Sequence, residues 1–178
     1  MRLQNLFIVL TISCTSGLLA NVVTRQSATA QTASQIKQSL SFGVPVVMPN
    51  PVPFGFRLTS FKVDAYSRSQ GYKANYQGPN ACEFSVSGSN GGWGAPGPVR
   101  QWVIDTKLLG KVILEEWSSG NGPNYLNAAV IPGSNGNQGP LASKGFPRAG
   151  YVFNFSCKNT VFPYQKASQI LKSVQISK

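Results

Sequence analysis

The sequence predicts an α+β domain: an antiparallel sheet of about five strands with a C-terminal amphipathic helix packed on its apolar face. Two segments, 81–87 and 150–157, alternate between apolar and polar residues as a half-buried strand does. Near the C-terminus the apolar residues recur at helical spacing instead, namely Tyr164, Ala167, Ile170, Leu171 and Val174. These two periods together indicate one sheet closed by one helix.

Strand-forming residues mark the sheet in chain order. The first strand is predicted over 56–65, which is rich in β-branched and aromatic residues. In the next strand Cys82, Phe84 and Val86 face one way, while the residues between them are polar. Residues 102–104 fit a short strand or a turn. Further strands are predicted at 111–118, 125–131 and 150–157.

The segment before the sheet is predicted to approach it as extended chain. Four prolines fall within residues 45–53, and such a density of prolines is incompatible with a helix interior or a central strand. We therefore expect an N-terminal segment and Pro-rich linker over 31–53, followed by a single domain over 54–178.

Residues 1–30 have the three parts of a secretory signal peptide. Arg2 gives a basic start, a mainly apolar run follows over 6–20, and Ala28-Thr29-Ala30 has the small-x-small pattern of a leader-peptidase site. We expect cleavage near Ala30 and an exported protein, periplasmic or extracellular.

Two other fates of this leader stay open. The first is a membrane anchor that is not cleaved, although polar and small residues interrupt the apolar run that a spanning helix needs. The second is a lipoprotein acylated at Cys14. Against it, Thr11 stands where leucine is usual, and the sequence beyond Cys14 stays apolar.

Removal of the leader would leave two cysteines, Cys82 and Cys157. An even pair in an oxidising compartment indicates one disulfide. Both cysteines fall on the apolar face of their own strand, where adjacent strands bring Cβ atoms within bonding reach. We expect this bond to stabilise the fold, since no Cys-x-x-Cys is present to indicate a redox site.

The basic character of the chain indicates an anionic partner. Two of the 16 basic residues, Arg2 and Arg25, lie in the leader, so the remainder holds 14 basic and 5 acidic residues, a net charge of +9. This charge favours anionic polysaccharide, lipid headgroups or acidic protein, and export argues against nucleic acid. Because the basic residues are spread without a dense run, a surface that only aids solubility is the alternative.

The residue types exclude most catalytic machinery. The chain has no histidine, which removes Ser-His-Asp and Cys-His catalysis and His-ligated zinc. Cysteines that are bonded to each other offer no thiolate to a substrate or a metal. We therefore expect no metal, no cofactor and no catalytic residue.

A carboxylate-dependent hydrolase acting on polysaccharide is the alternative function. A glycosidase needs two carboxyl groups that face each other across a cleft. Glu115 and Glu116 are neighbours on one strand and point to opposite faces, so they cannot form that pair. The candidates that remain are Glu83 with Glu115, or with Asp105.

Trp93 and Trp102 flank a Gly- and Pro-rich loop near Arg100, and these three residues are the predicted binding site. Exposed indoles stack on sugars, and a guanidinium can hold an anion. The competing interpretation is that both indoles cover the end of the sheet, since large aromatic side chains are mostly buried.

Two motifs open and close the domain: Pro49–Phe56, which reads PNPVPFGF, and Gly150–Phe153 with a later helix that ends in Ile170–Val174. They resemble an uncharacterised extracytoplasmic bacterial domain found behind membrane anchors, including those of some anti-sigma factors. The likeness would cover roughly residues 44–178. It implies an envelope sensing or binding role without catalytic residues, although the disulfide and the long Gly/Asn loops depart from its pattern. We thus expect an exported, non-catalytic envelope or secreted binding module with a basic surface for an anionic partner.

Overall fold

The computed structural model describes residues 34–64, 70–90, 98–131, 141 and 143–177. The described residues form two helices and nine strands, and a short 3-10 turn precedes the fourth strand. In chain order the elements are α1 (34–41), β1 (Val47–Pro49), β2 (Arg57–Asp64), β3 (Gly71–Gln77), β4 (Cys82–Ser89), β5 (Arg100–Thr106), β6 (Gly110–Trp117), β7 (Tyr125–Val130), β8 (Gly150–Cys157), α2 (Tyr164–Ser173) and β9 (Val174–Ile176).

Seven of the strands form one antiparallel sheet in the order β2-β3-β4-β8-β7-β6-β5. The order is that of two meanders, β2-β3-β4 and β5-β6-β7-β8, in which each strand pairs with its neighbour in the chain. The pairing of β4 with β8 joins the meanders. The centre of the sheet is therefore made from two strands that are far apart in sequence.

The predicted disulfide is confirmed and lies at one end of the β4–β8 pair. Cys82 and Cys157 stand directly opposite each other in the register, and their side chains are bonded. The alternation predicted for both strands is present too, with Phe84 opposite Phe155 on the same face as the cysteines. The shared face explains why the two sequence patterns and the cysteine pairing agree.

The face of the sheet that carries the cysteines is the inner face, and aromatic rings fill it. Tyr76 and Phe84 stack with ring centroids 4.3 Å apart, and Phe155 lies 6.0 Å from Phe84. The helix α2 covers this face and buries Ala167, Ile170 and Leu171 in the same core. An α+β arrangement with a C-terminal helix is thus present, but the prediction of about five strands was too low.

The N-terminal segment also lies on the inner face. Val44, Val46 and Val47 are fully buried, and β1 pairs with β9, which follows α2 directly. The segment is extended as the prolines predict, yet it belongs to the core over its described part, because its valines fill space beside Tyr72 and Tyr151. The predicted domain boundaries at 30 and 53 stay predictions.

Two buried tyrosine hydroxyls hold β1 to the sheet. The Tyr72 hydroxyl accepts a hydrogen bond from the Val47 N–H at 2.8 Å and donates to the Val47 carbonyl at 3.0 Å. The Tyr151 hydroxyl donates to the Pro45 carbonyl at 2.8 Å. β9 pairs with one edge of β1. On the other edge, the Tyr72 phenol satisfies the Val47 backbone groups in place of a neighbouring strand.

The opposite face is called the open face here, since no described helix or strand packs on it. Residues that alternate with the core project from it, and most of them are polar. The strand β3, which the sequence analysis missed, shows the division: Tyr72, Ala74 and Tyr76 point inward, and Lys73 and Asn75 point outward.

Candidate functional site

The open face carries a continuous row of polar side chains, called the polar row. Each member stands directly opposite the next one on the neighbouring strand, so the row crosses the whole sheet from β2 to β5. In sheet order it consists of Ser60, Asn75, Ser85, Asn154, Asn127, Glu115 and Gln101. Directly opposed side chains have Cβ atoms about 4.5–5.5 Å apart, within reach of one another's hydrogen-bonding groups.

Hydrogen bonds within the polar row orient the side chains on either side of Ser85. Asn75 donates through Nδ2 to the Ser60 hydroxyl at 2.7 Å. Asn127 donates through Nδ2 to Oδ1 of Asn154 at 2.8 Å. With those atoms engaged, Asn75 presents its carbonyl oxygen and Asn154 its amino group as the hydrogen-bonding groups that remain.

A groove of about 400 Å³ lies over this part of the polar row. The short side chains of Ser85 and Ser156 lie on its β4–β8 side, which is called the floor, and Lys73 and Gln77 of β3 lie on the side called the wall. It is lined by Thr59, Lys73, Asn75, Tyr76, Gln77, Glu83, Phe84, Ser85, Asn154 and Ser156. A second concavity of about 320 Å³ shares Gln77, Glu83 and Ser156 with it and continues past the disulfide to Lys158.

Ser85 is the most enclosed polar side chain of the groove floor. The residue is only 8% exposed. Its hydroxyl has no hydrogen-bond partner among the described residues, and because no buried side-chain oxygen there lacks a partner, this hydroxyl is accessible from the groove. Its neighbours across the register are Asn75 on β3 and Asn154 on β8. Three adjacent strands therefore offer an acceptor, a hydroxyl and a donor in line to whatever occupies the groove.

Basic side chains stand along the β2–β3 edge of the open face. Lys62 and Lys73 are directly opposite each other, and Arg57 lies on the same face at the other end of β2, opposite Gln77. Like charges in directly opposed positions destabilise a sheet by roughly 0.2–1 kcal/mol. We call these three residues the basic corner; Lys73 belongs both to it and to the wall of the groove.

The groove also holds one carboxylate. Glu83 lies on β4 opposite Gln77, and its Oε1 accepts a hydrogen bond from the Ser156 hydroxyl at 3.3 Å. Along the groove the charges therefore alternate, from Lys73 through Glu83 to Lys158. Lys73 stands opposite Ser87 of β4, and five residues of β4, or roughly 17 Å of strand, separate Ser87 from Cys82 at the other end of the groove.

The structure does not bring the predicted binding residues to this groove. Trp93 lies outside the described residues. Trp102 is on the inner face of β5, where its indole lies against the Tyr164 ring with centroids 4.9 Å apart. Arg100, on the same face at the start of β5, is exposed and stands opposite Glu116. Trp102 thus covers the sheet beside α2, as the competing interpretation had it.

The predicted carboxylate pairs do not face each other either. The strands β8 and β7 separate Glu83 on β4 from Glu115 on β6, a backbone distance of roughly 14 Å. Glu115 also accepts hydrogen bonds from Gln101 on β5 and from the Trp117 indole, which holds its carboxylate on the side away from β4. Since inverting glycosidases need carboxyl groups about 6.5–9.5 Å apart, this pair does not form their dyad. Asp105, on β5, is one strand farther from Glu83.

The signal that sequence reasoning missed is the polar row, because its register depends on the strand order. The serines and asparagines on β3, β4 and β8 are ordinary outward residues in any one strand. Only the β4–β8 pairing brings Ser85 next to Asn154. The alternation of Tyr72, Ala74 and Tyr76 could have revealed β3 and, with it, Lys73 opposite Lys62.

The acidic residues are confined to the large sheet. All five carboxylates stand on strands of the large sheet, and no acidic residue follows Glu116 in the chain. The elements that cover the inner face carry only cations, including Lys37 on α1 and Lys166 and Lys172 on α2. Lys166 lies over the Phe56 ring, with its Nζ 5.2 Å from the ring centroid.

The tyrosines with perturbed pKa values belong to the inner face, although Tyr76 is also among the residues that line the groove. Burial raises the pKa of Tyr76 to about 12. Burial likewise raises the pKa of Tyr151 and, with a smaller contribution from the nearby Tyr151 phenol, that of Tyr72. Because burial alone is the main cause and each hydroxyl stays protonated near neutral pH, these groups serve packing rather than acid–base chemistry.

Metal and membrane sites are not found in the part of the chain that the structure describes. No three histidine, cysteine, aspartate or glutamate side chains come together there to hold a metal ion. None of the described helices combines the length and the apolar character required to cross a bilayer.

No protein-family model, curated protein or solved structure matches this chain. The resemblance to an extracytoplasmic bacterial domain therefore stays a prediction.

Proposed function

We propose that the protein is an exported, non-catalytic binding module whose basic corner takes an anionic partner. The observation that carries this proposal is the direct opposition of Lys62 and Lys73 on the open face. Their mutual repulsion is unfavourable in the free protein. An anion placed between the two ammonium groups would remove it and gain two charge-assisted contacts.

Accessibility supports the same surface. Arg57, Lys62 and Lys73 are all exposed, and the neighbouring groove offers polar groups rather than an apolar floor. A partner that approaches this corner keeps its charge partly hydrated and meets hydrogen-bonding side chains at once. Such a surface suits polymers or headgroups with exposed anionic groups more than an apolar small molecule.

Export is part of the proposal. The leader pattern over 1–30, with cleavage near Ala30, would place the protein where disulfides form, and the bond between Cys82 and Cys157 is typical of such a compartment. The mass of the protein isolated from its native host tests this. We expect a chain that lacks the leader and whose two remaining cysteines are bonded, whereas an intact N-terminus with free thiols would contradict export.

Binding to immobilised heparin at low salt tests the anionic partner. We expect retention that weakens as salt rises, since exposed charge pairs are screened. The double variant Lys62→Gln, Lys73→Gln should bind about 2- to 30-fold more weakly, because each exposed ion pair contributes about 0.2–1 kcal/mol.

A matched control removes the same charge from the other side of the molecule. Lys37 on α1 and Lys172 on α2 are both exposed and lie on the covering layer. If Lys37→Gln, Lys172→Gln weakens heparin binding as much as the basic-corner variant does, binding follows net charge alone and the proposed site is wrong. If neither variant nor the native protein is retained, the anionic partner itself is wrong.

A further inference from the structure

The geometry points to a more specific ligand for the groove beside the basic corner: an acidic polysaccharide in which neutral sugars separate the carboxylate-bearing ones. This inference rests on the proposed function and deepens it. It commits to the kind of anion that the open face recognises, and to a set of groove residues that contribute to recognition without carrying a positive charge.

The floor of the groove is suited to hydroxyl groups. Ser85 is a residue only 8% exposed, and its hydroxyl, which has no partner among the described residues, is accessible from the groove. On either side of it lie the carbonyl oxygen of Asn75 and the amino group of Asn154, each oriented by a hydrogen bond to its other neighbour. A sugar ring presents several hydroxyls that both donate and accept, which matches this in-line set of acceptor, hydroxyl and donor.

The charges along the groove set the spacing of anions on the ligand. Lys73 at one end and Lys158 at the other favour carboxylates, while Glu83 between them disfavours one. A polyanion with charge on every unit would place a negative group next to Glu83. A chain with neutral sugars between acidic ones can instead place a hydroxyl next to Glu83. That hydroxyl can donate a hydrogen bond to the Glu83 carboxylate.

The shape of the site agrees with an extended chain. The two concavities share lining residues and follow the β4–β8 pair from Lys73 past the disulfide to Lys158. Ser85 on β4 and Ser156 on β8 contribute short side chains to the lining. An extended polymer can lie in it, whereas a compact ligand would leave much of it empty.

Calorimetric titration with a hyaluronan hexasaccharide, in which glucuronate alternates with N-acetylglucosamine, tests the inference. We expect saturable binding to the native protein at low salt. Ser85→Ala should weaken it about 3- to 10-fold, the effect of one lost hydrogen bond. Ser85→Val, which also narrows the groove with a residue that strands accept, should weaken it by about 10-fold or more.

Ser41→Ala, at an exposed serine of α1 on the covering layer, is the matched control and should leave the affinity unchanged. The near-ultraviolet circular dichroism of each variant shows whether it has folded. Should Ser85→Val fail to fold, the smaller Ser85→Ala decides the result alone. Unchanged hexasaccharide affinity in folded Ser85→Ala and Ser85→Val would overturn the groove assignment.

Inorganic polyphosphate provides the densely charged comparison. Glu83→Gln should raise the affinity for polyphosphate by about 2- to 5-fold, since it removes one exposed repulsion, and should not raise the affinity for the hexasaccharide. A native protein that binds polyphosphate more tightly than the hexasaccharide, with no response to Glu83→Gln, would overturn the inference. The heparin experiment on Lys62 and Lys73 can still succeed in that case, so the two failures are distinguishable.

Discussion

The two faces of the seven-stranded sheet differ in what their hydrogen-bonding groups do. On the inner face the polar groups are few, deeply buried and satisfied within the protein, as the Tyr72 and Tyr151 hydroxyls are by the backbone of the N-terminal segment. On the open face they are numerous, and one of them, the Ser85 hydroxyl, has no partner among the described residues. The same strands thus bury a core on one side and present accessible hydrogen-bonding groups on the other.

The largest contrast is expected between two adjacent residues of β4. Phe84→Ala removes a ring that contacts Phe56, Tyr76 and Phe155, so the free energy of unfolding should fall by about 3–5 kcal/mol. Ser85→Ala removes only a hydroxyl without a partner and should change it by less than about 0.5 kcal/mol. Urea unfolding followed by tryptophan fluorescence measures both. A similar decrease in the free energy of unfolding in both variants would contradict the assignment of stability to the inner face.

Tyr72→Phe tests the role of a hydroxyl that holds β1. The Val47 N–H and carbonyl would both lose their partner while still buried, and each such loss costs about 1–3 kcal/mol. We therefore expect Tyr72→Phe to lower the free energy of unfolding by about 2–4 kcal/mol. Tyr125→Phe, at a half-buried tyrosine of the open face, is the control and should have little effect. An equally small effect of Tyr72→Phe would mean that water replaces the phenol.

Alkaline pH should weaken the inner face specifically. The pKa of Tyr76 is raised to about 12 by burial, above the usual 10.0, so the unfolded state loses this proton first. The stabilisation from the protonated Tyr76 is fully present below about pH 10 and is lost as the pH rises through 12. At pH 12 the free energy of unfolding should have fallen by about 2 kcal/mol from this group. Tyr76→Phe should lessen the fall in unfolding free energy above pH 10. Curves of equal slope for native and variant protein would contradict this.

The smallest effect, and the only stabilising one, is expected at the basic corner. Lys73→Gln relieves the repulsion with Lys62 across the β2–β3 pair, so the free energy of unfolding should rise by about 0.2–1 kcal/mol at low salt. High salt should abolish the gain, because exposed charges are screened. Lys172→Gln on α2 serves as the control without an opposed lysine. A destabilised Lys73→Gln variant would show that Lys73 has a structural partner.

The sequence was informative wherever one strand or helix could be recognised by itself. The period of two in β4 and β8 and the helical period of α2 predicted those elements, and the cysteines on matching faces predicted the disulfide. The strand β3 was missed because its inward residues, Tyr72, Ala74 and Tyr76, include a small alanine and its outward ones are strongly polar. The short β1 was missed because prolines usually exclude strands, although an outer two-stranded pair tolerates them. The short β9 was missed because the helical pattern was extended to Val174, where β9 begins.

The site could not be predicted because it depends on long-range pairing. Nothing in the segment around Ser85 indicates that Asn154 will stand beside it, since 69 positions separate them in the numbering. The prediction based on Trp102 and Arg100 relied on residue type alone. In the structure the Trp102 indole packs against Tyr164 of α2. This contact buries apolar surface of both side chains.

The junction of the two meanders has a consequence for how the chain reaches its native state. The hairpins β2-β3-β4 and β5-β6-β7 can each form from local contacts, but β4 has no second neighbour until β8 exists. Closing so long a loop is slow compared with forming a hairpin. During that interval one edge of β4 can accept a foreign strand. The disulfide between Cys82 and Cys157 can form only after β4 and β8 have paired in the native register, and it then holds the two strands together.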